Sequence, residues 1–243
     1  MEAPRLLLVE DDATSAAFLA DALSALPAQV DVADSIAQAG VLAQAQRHAL
    51  WLVDAHLPDG HGLDCLRALR AAVIGRETPA LAITAGAPRT ELDALCAGGY
   101  LEVLMKPVSV ALLHGTVRRL LGGHAGVAEP GAGFPGFGGK LPIWEQERAL
   151  AAIGGNAASL AKLRGLFLLE LPLQREQLQQ AQARGDAMAI AALLHKLRAS
   201  CGFVGAARLA RAVEALSRSP LDGAALRDLG FAAEDTLAAA DQS

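Results

Sequence analysis

Five short apolar runs stand out along the first 122 residues: Leu6–Val9, Val30–Val32, Leu50–Val53, Ala80–Thr84 and Leu101–Met105. Each has the length of a strand buried on both faces. After them come stretches whose apolar positions recur at helical spacing: Ala13–Leu26, Ile36–Gln46, Gly62–Ala72, Arg89–Ala97 and Ala111–Leu121. This strand–helix alternation predicts an α/β doubly wound, five-stranded parallel sheet over residues 1–122. In such sheets the chemistry lies beyond the carboxyl ends of the strands.

The pattern changes after residue 140. Only helical periodicity remains, over Trp144–Ile153, Ala157–Arg184, Asp186–Cys201, Ala206–Arg218 and Ala224–Ala240. Pro172 is expected to kink or break the second of these. Gly185-Asp186 reads as a helix stop followed by an N-cap. Residues 141–243 are therefore expected to form an all-α four-helix bundle with a short leading helix. Between the two regions, residues 123–140 are rich in Gly and Pro and show neither period, as expected of a linker. Such a segment reaches roughly 20–25 Å as a random coil.

Composition narrows the picture. Hydrophobic residues make up 53% of the 243-residue chain and charged residues 19%, which excludes wholesale disorder. A net charge of -5 argues against a basic surface for nucleic acid, and no recognition helix is evident in the second half. Cys65, Cys96 and Cys201 lie far apart with no metal-ligand spacing and are expected to be reduced thiols. No signal-like segment or membrane-length apolar run is evident, so a cytoplasmic protein without membrane insertion is expected.

The strand ends carry the candidate chemistry. The first delivers Glu10, Asp11 and Asp12, the third Asp54, the fourth Thr84, and the fifth Lys106 before Pro107. Carboxylates crowded at one sheet edge repel one another unless a cation neutralises them. Hard oxygen ligands of this kind suit Mg²⁺. A hydroxyl and an ammonium opposite would hold the oxygens of a transferred phosphoryl group.

The segment Leu6-Leu7-Leu8-Val9-Glu10-Asp11-Asp12 resembles the first strand and acidic turn of response-regulator receiver domains, which are flavodoxin-like. Asp54-Ala55-His56-Leu57-Pro58, with Gly62 eight residues after the aspartate, is similar to their phosphoacceptor loop. Ile83-Thr84-Ala85 and Lys106-Pro107 are similar to their switch threonine and lysine–proline turn. The resemblance implies that Asp54 is the phosphorylated nucleophile. It also implies that Glu10 and Asp11, the Asp54 carboxylate and the His56 backbone carbonyl hold Mg²⁺, while Thr84 and Lys106 bind the phosphoryl group. Two positions depart from the pattern: His61 stands where an acidic residue is usual, and Val103 stands three before the lysine in place of the switch aromatic. Tyr100 is three residues too early to be its equivalent. A receiver that relays phosphate, rather than one driving a large conformational output, is therefore expected.

In the second half, His195 is the candidate. On a helical wheel Ile190, Leu193, Leu194, Leu197 and Cys201 form an apolar stripe. His195 points roughly 140° from the stripe's centre. Its wheel neighbours Ala191, Ala192, Ala199 and Gly202 are small and are expected to leave the imidazole accessible. Arg198, one turn on, can neutralise phosphate charge. With no ligand partner beside it, the imidazole suits phosphoryl transfer better than metal binding. The run Ala192-Leu193-Leu194-His195-Lys196-Leu197-Arg198-Ala199 to Ala206 resembles the signature of histidine-containing phosphotransfer (HPt) domains. Arg198 and Ala199 replace the family's lysine and glycine there.

Together these resemblances imply a two-component phosphorelay protein. Asp54 would accept a phosphoryl group from a histidine kinase or other phosphohistidine donor, and His195 would exchange it with a receiver aspartate, in cis or in trans. The implied partners are a sensor histidine kinase or hybrid kinase and other receiver domains. No kinase ATP site is expected, because no glycine-rich loop joins a strand to a helix. The alternative is a receiver-controlled adaptor whose degenerate bundle binds a partner without phosphotransfer.

Overall fold

The computed structural model describes residues 3–73, 77–86, 88–122 and 142–239. The chain divides into two compact units, residues 1–132 and 133–243. The stretch expected to link them, 123–140, lies outside the described residues.

In the first unit the strands are β1 (Arg5–Val9), β2 (Gln29–Ala33), β3 (Leu50–Asp54), β4 (His56–Leu57), β5 (Gly60–His61), β6 (Ala80–Thr84) and β7 (Glu102–Met105). The helices are α1 (Ala13–Ser24), α2 (Ile36–Ala45), α3 (Gly62–Ala72), α4 (Arg89–Ala97) and α5 (Val110–Gly122). The main sheet is parallel, in the order β2-β1-β3-β6-β7. Its central strands are apolar between their end residues because helices cover both faces. Leu7, Val9, Trp51 and Val53 are buried in a cluster with Leu66 and Leu69 of α3, while α1 and α5 pack together. The small hairpin β4–β5, which periodicity did not predict, turns back directly after β3.

The register aligns the strand ends. Val9 pairs with Val53, Asp54 with Ile83, and Thr84 with Met105. Glu10, Asp54, Thr84 and Lys106 therefore emerge at one level of the sheet edge. The acidic run after β1 is shared between two tasks. Asp12 caps α1, accepting from the Ser15 amide at 2.7 Å, so it serves the helix.

The second unit contains α6 (Gln146–Ala152), α7 (Ala157–Ala183), α8 (Ala187–Val204), α9 (Ala207–Arg218) and α10 (Gly223–Ala238). Helices α7 to α10 pack in a ring, each against the next and α10 against α7, with α6 on α7 and α8. Asn156, Asp186 and Asp222 cap three of them through their side chains. Arg164 stacks on the Trp144 ring at 4.6 Å and donates to the Val204 carbonyl at 3.1 Å, joining the start of the unit to α7 and α8.

Two expectations need correction. Of the kink or break expected at Pro172, the break does not occur: α7 is one helix from Ala157 to Ala183. Pro172 itself is exposed, so its ring displaces no core side chain. The other concerns apolar length: α8, 18 residues with mean hydropathy 1.3, is long and apolar enough to cross a membrane. It also packs against α6, α7 and α9, with Ile190, Leu194, Leu197 and Cys201 buried, and a core-facing helix has this composition for that reason.

Candidate functional site

Each group at the sheet edge is placed by the end of its strand. Oxygens of Glu10, Asp11 and Asp54 lie within 4.8 Å of one another. Glu10 is 2% exposed and Asp54 3%, so water does little to screen their repulsion. The Lys106 ammonium, itself buried, lies 2.5 Å from Glu10 Oε2 and also bonds to Asp54 Oδ2. Burial works against the charge on Lys106, but the adjacent Glu10 and Asp54 outweigh it and raise its pKa. Burial pushes the Glu10 carboxyl well above its usual range; Lys106 opposes this, and the charges of Asp54 and Asp12 add to it. Three carboxylates thus share one ammonium at this edge, an oxygen donor set that a hard divalent ion would fit.

Thr84 is fully buried, and its hydroxyl has no hydrogen-bond partner among the described residues. A buried hydroxyl left without a partner costs stability, and this one stands at the end of β6 beside the acidic groups. The loop after Asp54 is closed by backbone bonds: the Ala55 amide donates to Ile83 at 2.9 Å and the Gly62 amide to Ala55 at 2.9 Å. Within it the His56 amide donates to Asp54 Oδ1 at 2.9 Å, and the His56 ring lies 3.5 Å from Glu91 on α4. Asp59 at the hairpin turn accepts from the Ile36 and Ala37 amides, tying the loop to α2.

One contact was not foreseen. The Tyr100 hydroxyl, on a ring 3% exposed, donates to the Gly62 carbonyl at 2.6 Å. Its only sequence signal is an aromatic residue directly after Gly98-Gly99. Val103, at the position expected for the switch aromatic, is half-buried against the core.

A cavity of about 610 Å³ opens at the opposite end of the sheet, lined by Arg5, His48, Trp51 and Thr78 among others. It takes no part in the acidic edge.

In the second unit His195 stands on α8, half-buried. Ala191 and Ala192 beside it are exposed, as the wheel predicts. Ala199 is 1% exposed, not open, and Leu193 is only half-buried. Buried positions widen around the second half of α8 to include Ala199, Ser200 and Phe203, so a single stripe describes only its first half. Arg198 is half-buried one turn beyond the histidine.

A doubly wound sheet with acidic strand ends and a lone lysine is followed along the chain by a helical bundle bearing His195. The family model of the response regulator receiver domain matches residues 6–118, and that of the Hpt domain matches residues 162–243. The chain joins a receiver domain to an Hpt domain in one polypeptide.

Among curated proteins, the sensor histidine kinase GacS of Pseudomonas protegens is 27% identical over 218 residues, covering 87% of this chain and 24% of that protein. The sensor histidine kinase AruS of Pseudomonas aeruginosa is 30% identical over 226 residues, covering 92% and 22%. The histidine-protein kinase BarA of Escherichia coli is 23% identical over 234 residues, covering 92% and 25%. The chain thus spans about a quarter of the length of these relatives. Among solved structures, the receiver domain of sensor histidine kinase PA1611 from Pseudomonas aeruginosa, crystallised with magnesium in its active site cleft, is 30% identical. That match covers 49% of this chain and 98% of that one, with a TM-score of 0.46. A two-component response regulator from Clostridium difficile is 19% identical, covering 49% and 95%, with a TM-score of 0.46.

Proposed function

We propose that this chain relays phosphoryl groups through Asp54 and His195. The observation that carries the reading is the convergence of Glu10, Asp11, Asp54, Thr84 and Lys106 on one sheet edge, with a buried ammonium against Asp54 and a buried hydroxyl left without a partner.

A carboxylate oxygen of Asp54 attacks the phosphorus of a phosphohistidine on a donor domain. The P–N bond breaks, the donor imidazole keeps the electron pair and takes up a proton, and an acyl phosphate forms on Asp54. Lys106, already in contact with Asp54, pairs with the incoming phosphoryl oxygens, and the Thr84 hydroxyl donates to another. Glu10, Asp11, the Asp54 carboxylate and the His56 carbonyl fit a hard divalent ion. Mg²⁺ held there would neutralise charge on the phosphoryl oxygens. At His195 a neutral imidazole nitrogen attacks an aspartyl phosphate, the P–O bond breaks, and the receiver carboxylate leaves with the electron pair. Arg198, one turn on, offsets the arriving negative charge.

The partners we assign are sensor histidine kinases or hybrid kinases and other receiver domains, and the site of action is the cytoplasm. The support is that GacS, AruS and BarA are by name histidine kinases. The test is phosphoryl labelling of the full chain by a phosphorylated donor domain. Asp54→Asn should abolish label on the receiver unit, and His195→Gln should abolish phosphohistidine on the bundle. Label persisting on His195 in Asp54→Asn would show that the bundle draws on an independent donor. A wild-type chain labelled at Asp54 but never at His195, whatever receiver is offered, would replace the relay with an adaptor.

A further inference from the structure

We propose that Tyr100 is a positioning residue for the phosphoacceptor loop: its hydroxyl, fixed on the Gly62 carbonyl, holds residues 55–62 in the turn that carries Asp54 and His56. The consequence for cation binding rests on the reading of the acidic edge given above.

The bond joins two distant segments. Tyr100 sits where the chain leaves α4 and enters β7, and this junction is itself pinned. The Tyr100 amide donates to Leu95 at 3.2 Å, and the Leu101 amide donates to Ala80 at 2.9 Å. The ring is packed in the core with Ala55, Cys65 and Leu66. From that fixed base the hydroxyl reaches Gly62, 38 residues earlier in the chain.

Gly62 is the point where the two ends of the loop meet. A Cβ built there would lie 3.1 Å from Ala55 Cα, 3.3 Å from the Asp54 carbonyl oxygen and 3.4 Å from the Tyr100 hydroxyl. The backbone bond from Gly62 to Ala55 closes the loop at this same place. A single hydroxyl therefore bears on the closure. Burial, aided by Cys65 and Asp54, raises the phenol's pKa, so the hydroxyl stays a donor throughout the working pH range.

The geometry also explains how an aromatic can serve this receiver with Val103 at the switch position. Tyr100 is buried and bonded, so it acts as a fixed brace. Loosening the brace would let the 55–62 loop open at Gly62, and the His56 carbonyl and the amide bonded to Asp54 would lose their fixed relation.

The test uses the full chain with Tyr100→Phe, which keeps the ring and removes the hydroxyl, and Tyr100→Leu, which removes both. Amide hydrogen exchange over residues 55–62 reads the loop without any metal, and titration calorimetry with MgCl₂ reads the cation. Tyr100→Phe is expected to speed exchange over 55–62 by about five- to tenfold, with β1 and β6 unchanged, and to weaken Mg²⁺ binding by a similar factor. Exchange within twofold of wild type in Tyr100→Phe overturns the brace. So does acceleration spread evenly over the sheet, or an effect seen only in Tyr100→Leu, which would assign the role to ring packing. Faster loop exchange with unchanged Mg²⁺ affinity overturns the link from loop to cation. A wild-type chain that takes up no Mg²⁺ instead sinks the cation reading, while the exchange measurement still decides the brace.

Discussion

The two candidate nucleophiles are held in opposite ways. Asp54 lies in a buried site assembled from four strand ends, where Lys106 bonds to Glu10, 96 residues away. His195 stands on one helix, half-buried, and owes its position to the caps and packing of that helix. The receiver site depends on a balance of buried charge. The histidine site depends on backbone geometry that keeps α8 in register.

The largest effect expected attacks the charge balance. Lys106→Ala leaves Glu10 and Asp54 buried without their cation and should destabilise the receiver unit by about 3–5 kcal/mol in urea unfolding, with the bundle's transition unmoved. A loss confined to the bundle would reverse the comparison. Next comes the divalent ion. Mg²⁺ at a hundred times its dissociation constant should stabilise the receiver unit by about 2.7 kcal/mol, read as a rise in its thermal midpoint, and Asp11→Asn should blunt the rise.

On the bundle's side, Gly205 ends α8 at φ 74°, and a Cβ there would lie 2.7 Å from the Glu145 carbonyl oxygen. Gly205→Ala should therefore cost about 2 kcal/mol in the bundle's unfolding, combining left-handed strain and collision with α6. Removing the α8 N-cap by Asp186→Ala should cost about 1 kcal/mol in the same assay.

The smallest effect is a pH dependence in the receiver unit. Burial alone would raise the Asp31 pKa, but hydrogen bonds from His48 and Arg5 outweigh it and hold it below its ordinary value. The folded state thus favours ionised Asp31. Its contribution is present above about pH 4 and is lost as pH falls through the folded value. Asp31→Asn should flatten the loss of receiver stability between pH 5 and pH 3, as measured by urea unfolding.

Much of this arrangement was legible in the residues because the strands are short apolar runs, and each run ends where its polar residue begins. Ala80–Thr84 and Arg89–Ala97 have the bounds that periodicity predicts. Other features depend on partners that a linear pattern does not contain. The bond between Tyr100 and Gly62 needs α3 and the start of β7 to be brought side by side. Pro172 reads as a breaker until its exposure on α7 is known. The hairpin β4–β5 spans too few residues to show alternation. At His195 the small residues were legible, yet Ala199 is buried, because the wheel treats α8 as having one packed face and its second half has more.

The position of Lys106 on the last strand of the sheet has a consequence for synthesis. A nascent chain that has left the ribosome only through β6 carries Glu10 and Asp54 but not the ammonium that lies between them. Closure of the acidic edge must therefore wait for β7, so the last strand of the sheet supplies the charge that balances the ends of the earlier ones.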